Sequence, residues 1–353
     1  QVPDPLKDSL QAYEKAREIL IDLNYLQPDM NPDDQFLLAA ERYRKRGPAM
    51  QEYADHIFIK NKSNKKLIAA LKEFQKDHGL SPDGRIGTNT VNALQLSKRD
   101  RFEQIAINLE RLRWEKNRPA KYVYVNVPSY KLRVFADHNI VKTFNIVVGA
   151  PHSQTMLMNS KIEYFTTNPE WYVPHSISSK ELLPKIKNDS TYLSRHNYKI
   201  FDKNRQLMGS VDWSAVEREN FGFYLQQAAG SGNAMGKVKF YFENPYILMI
   251  HDTNDKSKFS KDIRAFSHGC MRVQDPDEFT KTMLRIDNSQ LADSIDTWFT
   301  NGTRKKIDFK EHIPLFVRYV SCEADNTGRI TMYPDIYGKD APLRKQFFMT
   351  KKL

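Results

Sequence analysis

The sequence predicts an α+β protein: a helical N-terminal part followed by a β-rich, sandwich-like C-terminal domain that carries a helical insertion. Three observations predict it. Apolar residues recur at helical spacing through the first 115 or so positions. From Pro119 onward, runs rich in β-branched and aromatic residues alternate with turn sequences. Between about 177 and 233 the strand pattern gives way to a helix and loops, and strands then return.

At 353 residues the chain is long enough for two or three domains. Its net charge of +11 and isoelectric point near 9.3 fit an anionic partner, or a solvated basic surface with no particular partner. The basic residues are dispersed, as in "YRKRG", "KNKSNKK" and "TRKKIDFK". No nucleic-acid-binding signature accompanies them, so no nucleic acid partner is expected. The longest apolar run, "YILMI" at 246–250, is strand-sized and far from the ~18 residues of a membrane span. The chain opens on "QVPDPLKD", with neither Met nor an apolar leader, so neither a signal nor an anchor is expected within it. Two cysteines in such a length do not make a disulfide framework and fit either the cytosol or a bacterial envelope.

The elements can be justified in order. "DSLQAYEKAREILIDL" sets Leu10, Tyr13, Ala16, Leu20 and Leu23 at helical spacing, and "DDQFLLAAERYRKRG" runs from acidic start to basic end and a terminal Gly. In "KKLIAALKEFQKDHG", Leu67, Ala70, Leu71 and Phe74 share one helix face, and Gly79 stops it. "LSPDGRIG" reverses the chain before a second short helix, "TNTVNALQLS". "RFEQIAINLERLRWEKN" is a further amphipathic helix. Then come strands: "KYVYVNVPSYKLRVFADHNIVKTFNIVVG", broken at "VPSY" and "ADHN", and "KIEYFTTNPEWYVP". "SSKELLPKIKNDSTYLSRHNY" reads as helix and loop, and "QQAAGSGNAMG" as small and flexible, with Gly230, Gly232 and Gly236 suited to a hinge or to simple turns. Strands resume at "KVKFYFEN" and "YILMIHD". "DPDEFTKTMLRI" is a helix with an Asp-Pro start, and the tail has two β runs around "DNTG".

Chemistry concentrates in "AFSHGCMRVQDPDEF", where Cys270 stands among polar and glycine neighbours. A cysteine nucleophile needs help to ionise. His268 lies two residues before it, and His251 nineteen before it, at the end of a strand-like run. The Gly269–Cys270 backbone can offer N–H groups to a developing oxyanion, and Gly269 leaves the approach open. Three other readings stand beside this one. Cys270 could be a small buried hydrophobe, half of a disulfide with Cys322, or a zinc ligand with His251 and His268, although no fourth ligand stands at matching spacing.

His251, fifteen residues, then Ser267-His268-Gly269-Cys270 and Arg272 resembles the signature of the L,D-transpeptidase catalytic domain. "VNVPSYKLRVF", "VVGAPHSQT", "NPEWYVPHSI" and "IYGKD" resemble the large envelope subgroup of that family, and "LKEFQKDHGLSPDGRIGTNTVNAL" resembles its inserted peptidoglycan-binding domain. The resemblance implies a helical scaffold over 1–55 and 97–118, a small three-helix peptidoglycan-binding domain over 56–96, a catalytic domain over 119–335 with a capping insertion at 177–233, and a tail over 336–353.

It also implies roles. Cys270 is the nucleophile and His251 the base, oriented by the backbone carbonyl of Asp252 in preference to its carboxylate. Ser267, His268 and Gly269 frame the oxyanion-side turn, and Arg272 binds a carboxylate or holds the loop. Trp171 and Tyr172 line a donor groove or pack beneath the sheet. The implied activity is a cysteine acyl transfer, with no cofactor and no metal, that joins peptidoglycan stem peptides by 3→3 cross-links through a thioester. The partners are stems and glycan, alongside other wall-synthesis proteins, in the periplasm of a Gram-negative-type envelope, with carbapenem sensitivity and a part in cell shape. An L,D-carboxypeptidase of the same fold and a non-catalytic peptidoglycan-binding protein remain as alternatives.

Overall fold

The computed structural model describes residues 18–25, 62–113, 115, 118–325 and 327–349. The chain divides into two compact units, 1–116 with 320–353, and 117–319. The expected helix "DDQFLLAAERYRKRG" and most of "DSLQAYEKAREILIDL" lie outside the described residues.

In the first unit, helices α1 (Lys62–Asp77), α2 (Thr88–Leu94) and α3 (Lys98–Arg113) follow the predicted pattern. Leu67, Ala70, Leu71 and Phe74 of α1 meet Ile86, Val91 and Leu94 in one buried cluster, which Leu20 joins. The turn between α1 and α2 is held by Gln75, a buried amide that the periodicity did not single out. Its Nε2 donates to Asp83 Oδ1, to the Arg85 carbonyl and to Thr90 Oγ1 at 2.9, 2.8 and 3.1 Å, while its Oε1 accepts the Gly84 N–H at 2.8 Å. Gly84 has φ +77°, the left-handed conformation that a glycine adopts without strain.

The second unit is built on β1 (Tyr122–Asn126), β2 (Lys131–Ala136), β3 (Asn139–Gly149) and β4 (Met158–Thr167). It continues through β5 (Trp171–Tyr172), β6 (Tyr198–Phe201), β7 (Leu207–Met208) and β8 (Tyr224–Gln227), then β9 (Val238–Phe242), β10 (Met249–His251), β11 (Ala265–Ser267) and β12 (Met271–Val273). Helix α4 (Pro276–Ile286) and β13 (Lys306–Arg318) complete it. The main sheet runs β11-β3-β12-β10-β9-β4-β13-β1-β2, and β2 also pairs with β3, so the sheet closes on itself. Inward positions alternate with outward ones along each strand. Met271, Ile250, Phe240 and Phe165 form one fully buried row across β12, β10, β9 and β4. Helix α4 lays Phe279 against Phe144 of β3 and Phe240 of β9, at ring separations of 5.2 and 4.7 Å.

The insertion differs from the sequence expectation in two ways. It contains strands as well as short helices: β5, β8, β6 and β7 form a separate four-stranded sheet. Its core runs from Val173 to Leu225 and includes Leu182, Leu183, Ile186 and Ile200, so the unit begins before 177. The tail also needs correction. The β13 strand starts at Lys306, inside a stretch read as merely basic. The hairpin of β14 (Cys322–Ala324) and β15 (Ile330–Met332), expected within the β-rich domain, belongs to the helical unit. There Ser321, just before β14, gives its N–H to Asn108 Oδ1 of α3 at 2.9 Å and accepts from Asn108 Nδ2 at 2.8 Å.

Candidate active site

Strands β10 and β12 are parallel neighbours in which His251 stands opposite Arg272 and Ile250 opposite Met271. Side chains two residues apart on a strand share a face. Cys270, immediately before β12 and two residues before Arg272, therefore shares the outer face with Arg272 and His251, while Ile250 and Met271 point into the core. Parallel strands require a crossover of a dozen or more residues, and here that crossover is 252–270.

The crossover also wraps the end of β3. β11 pairs with β3 through Ala265–Val148 and Ser267–Gly149, and β12 pairs with it through Arg272–Val147 and Val273–Ile146. The turn His268-Gly269-Cys270 thus passes over the end of β3. Gly269 has φ +111°, a left-handed conformation that glycine adopts without strain and an L side chain does not. Ser267 staples the turn: its hydroxyl donates to the Cys270 carbonyl at 2.6 Å and accepts the Gly269 N–H at 3.1 Å. That N–H, expected from the sequence as an oxyanion donor, is therefore engaged within the turn.

Thr155, the last residue of "VVGAPHSQT", fixes the turn from outside. Its hydroxyl donates to the Gly269 carbonyl at 2.7 Å and accepts the Gly149 N–H at 2.9 Å, which ties the end of β3 to the cysteine loop.

His251 is buried, and its Nδ1–H donates to the Asp252 carbonyl. A carbonyl only accepts, so Nε2 is the ring nitrogen left to take a proton. Burial pushes the imidazole down to about 3; the Arg272 charge adds to this, as do Lys239 and Lys256, while the Asp252 carbonyl works against it. The Asp252 carboxylate faces elsewhere: Oδ2 accepts the Lys237 N–H at 2.8 Å, and Oδ1 pairs with Lys256. Burial pushes the partly exposed Cys270 thiol up, while a hydrogen bond from the Met249 backbone and the Arg272 charge pull it down. Arg272 keeps a buried Nε without a hydrogen-bond partner, and its own pKa is lowered first by burial.

His268 turns away from this pair. Its Nε2 meets Glu181 Oε1 at 2.6 Å, on a single π-helical turn (Ser178–Leu182) of the insertion. Trp171 packs against the insertion core, whereas Tyr172 is 59% exposed. Cys270 and Cys322 are both free thiols, which removes the disulfide reading. Among the described residues no group of three His, Cys, Asp or Glu side chains could hold a metal ion, so the zinc triad His251–His268–Cys270 is not assembled. No helix among them is long and apolar enough to cross a membrane.

The family profile for the L,D-transpeptidase catalytic domain matches residues 120–305. The chain belongs to the L,D-transpeptidase family. A peptidoglycan binding domain profile matches residues 59–94 of this L,D-transpeptidase, over α1, the Gly84 turn and α2. A Haemophilus influenzae protein assigned provisionally as an L,D-transpeptidase is 28% identical over 92% of this chain. The chain spans 65% of that relative's length. Among solved structures, L,D-transpeptidase 3 from Mycobacterium tuberculosis aligns with 57% of this chain and 61% of its own, at 10% identity and a TM-score of 0.27. An L,D-transpeptidase from Xylanimonas cellulosilytica aligns with 72% of this chain and 80% of its own, at 12% identity and a TM-score of 0.24.

Proposed function

We propose that this chain is a cysteine L,D-transpeptidase that joins peptidoglycan stem peptides by 3→3 cross-links. The observation that supports the reading best is the register of the parallel strands β10 and β12, which sets His251 opposite Arg272, two residues after Cys270, while the Asp252 carbonyl leaves Nε2 as the accepting ring nitrogen. Cys270 attacks the carbonyl of the third stem residue, a diamino acid, as His251 Nε2 takes the thiol proton. The terminal D-alanine leaves with that proton on its nitrogen, and a thioester remains. The side-chain amine of a second stem then attacks the thioester, and His251 again relays the proton. The Cys270 N–H serves the oxyanion, because the Gly269 N–H is held by Ser267.

Arg272 supports the developing thiolate through its charge on Cys270. Ser267 and Thr155 fix the loop that presents the sulfur. The insertion acts as the cap, joined to the cysteine turn through Glu181 and His268. The domain around α1 and α2 directs the enzyme to glycan, and the basic surface suits an anionic wall polymer. The setting is the periplasm, and the acyl-enzyme chemistry makes carbapenems acylating inhibitors of Cys270.

The test is incubation of tetrapeptide muropeptides with the protein and with Cys270→Ala, followed by mass analysis. Dimers with a 3→3 bond that vanish in the variant support the reading. Dimers unchanged in Cys270→Ala sink it, and release of D-alanine without dimers turns it into an L,D-carboxypeptidase.

A further inference from the structure

The outer face of the sheet carries a row of polar side chains in register. Arg272 pairs with His251, His251 with Lys239, Lys239 with Thr166, and Thr166 with Lys306, across β12, β10, β9, β4 and β13. A parallel row beside it holds Tyr241 and Tyr164, stacked at 4.9 Å. Cross-strand neighbours lie about 5 Å apart, so Lys239 stands one strand from the imidazole, on the side away from Arg272.

The basic residues near this row are mostly matched with acids. Lys256 pairs with Asp252, Lys237 with Asp277, Lys306 with Asp308 and Arg304 with Glu170. Arg272 acts on the Cys270 thiol. Lys239 is half-buried, and among the described residues no acid lies within ion-pair distance of it. Its pKa is lowered by burial and then by Arg304, and the Glu170 that opposes this is already held by Arg304. A half-buried ammonium beside the base, with no anion of its own, is a site for a ligand carboxylate.

The proposed reaction brings one carboxylate to this place. His251 must protonate the amine of the leaving amino acid, and the free α-carboxylate of that amino acid lies two bonds from the same nitrogen. Resting on the transpeptidase reading, we propose that Lys239 binds the α-carboxylate of the leaving residue and so selects stems that end one residue beyond the attacked carbonyl. The bound anion also offsets the cations around His251, which makes the imidazolium formed during thiol attack less unfavourable. A longer stem has an amide in place of that carboxylate and forgoes the contact.

The test compares tetrapeptide stems ending in D-alanine or in D-alaninamide. With the wild-type protein the acid should show a KM about tenfold or more below that of the amide, as expected for a charge-assisted hydrogen bond. Lys239→Met should erase the difference by raising KM for the acid alone, and Lys239→Arg should restore most of it. Equal KM for acid and amide in the wild type, or a wild-type ratio persisting in Lys239→Met, overturns the assignment. Calorimetric binding of both peptides to Cys270→Ala, with and without Lys239→Met, separates this from the reaction itself. A carboxylate preference in binding that depends on Lys239 keeps the assignment even if no cross-link or D-alanine is ever released. Equal binding of acid and amide overturns it.

Discussion

The ring of His251 is held by the residue that follows it: Nδ1–H donates to the Asp252 carbonyl, while the Asp252 side chain points to Lys237 and Lys256. Orientation of the base thus rests on backbone, which a side-chain substitution leaves in place. Asp252→Asn keeps an oxygen for the Lys237 N–H and should retain kcat within about tenfold, against the ~10⁴ lost when a carboxylate that orients a catalytic histidine is neutralised. A loss of the larger size would return the orienting role to the carboxylate.

At neutral pH Cys270 rests as a neutral thiol and His251 as a neutral imidazole. Burial holds His251 down to about 3 and holds Cys270 above the ordinary thiol range. Alkylation of Cys270 by iodoacetamide should therefore keep rising as pH passes about 8.5, the value of an unperturbed thiol. A rate that reaches its plateau below pH 7 would instead reveal a preformed thiolate–imidazolium pair.

Thr155→Val removes the hydroxyl between the Gly149 N–H and the Gly269 carbonyl and leaves both buried groups without it. We expect a loss of about 1–3 kcal/mol in stability, read as a fall in Tm, and slower acylation of Cys270 by a carbapenem. An unchanged acylation rate would mean that the turn holds its shape without this tie.

The contact between His268 and Glu181 is nearly half exposed on both sides, so Glu181→Gln should cost well under 1 kcal/mol. Its effect should appear locally, as faster amide hydrogen exchange over residues 178–188. Exchange that stays at the wild-type rate there would show that packing of Leu182, Leu183 and Ile186 alone holds the insertion.

In the helical unit, His78 is buried with Nδ1–H on the Phe74 carbonyl and Nε2 facing the Arg101 guanidinium. Burial depresses its pKa to about 4, with Arg101 adding to the effect. The folded state binds fewer protons than the unfolded chain between about 6.5 and 4. The stabilisation is complete above that window and lost as pH falls through it, by roughly 3 kcal/mol in all. Exchange of the α1 amides should accelerate over that range in the wild type and much less in His78→Gln.

Strands β1 to β4, β9 and β10 were legible because their runs are rich in β-branched and aromatic residues and are broken at turns such as "VPSY" and "ADHN", whereas β11 and β12, three residues each, gave no such run. The strands of the insertion were not: β6 and β7 are only four and two residues long, and β6 is held in its sheet by β8, more than twenty residues on. Closure of the sheet rests on the β2–β3 pairing and its bulge at Val134/Phe135, and the alternation of residues does not encode ring formation. At the site, Cys270 and His251 stand in a recognisable spacing, while Thr155 and Glu181 do not. Each makes its contact more than 80 positions away in the chain, at 114 and 87 residues, and even "VVGAPHSQT", which Thr155 ends, does not announce that reach. Lys239 became visible only once the register was known.

The crossover from His251 to Cys270 gives the spacing of this pair a mechanical meaning. Register between β10 and β12, and the grip of β3 on either side of the turn, set where the sulfur sits. The loop between them sets only that the path can be travelled. Its 3-10 stretch Ser257–Ser260 is largely at the surface, with Phe259 as its buried foot. Length should therefore drift there among relatives while the two ends stay fixed. The number of residues between histidine and cysteine records a distance around the end of a strand, and can vary wherever the detour bulges outward.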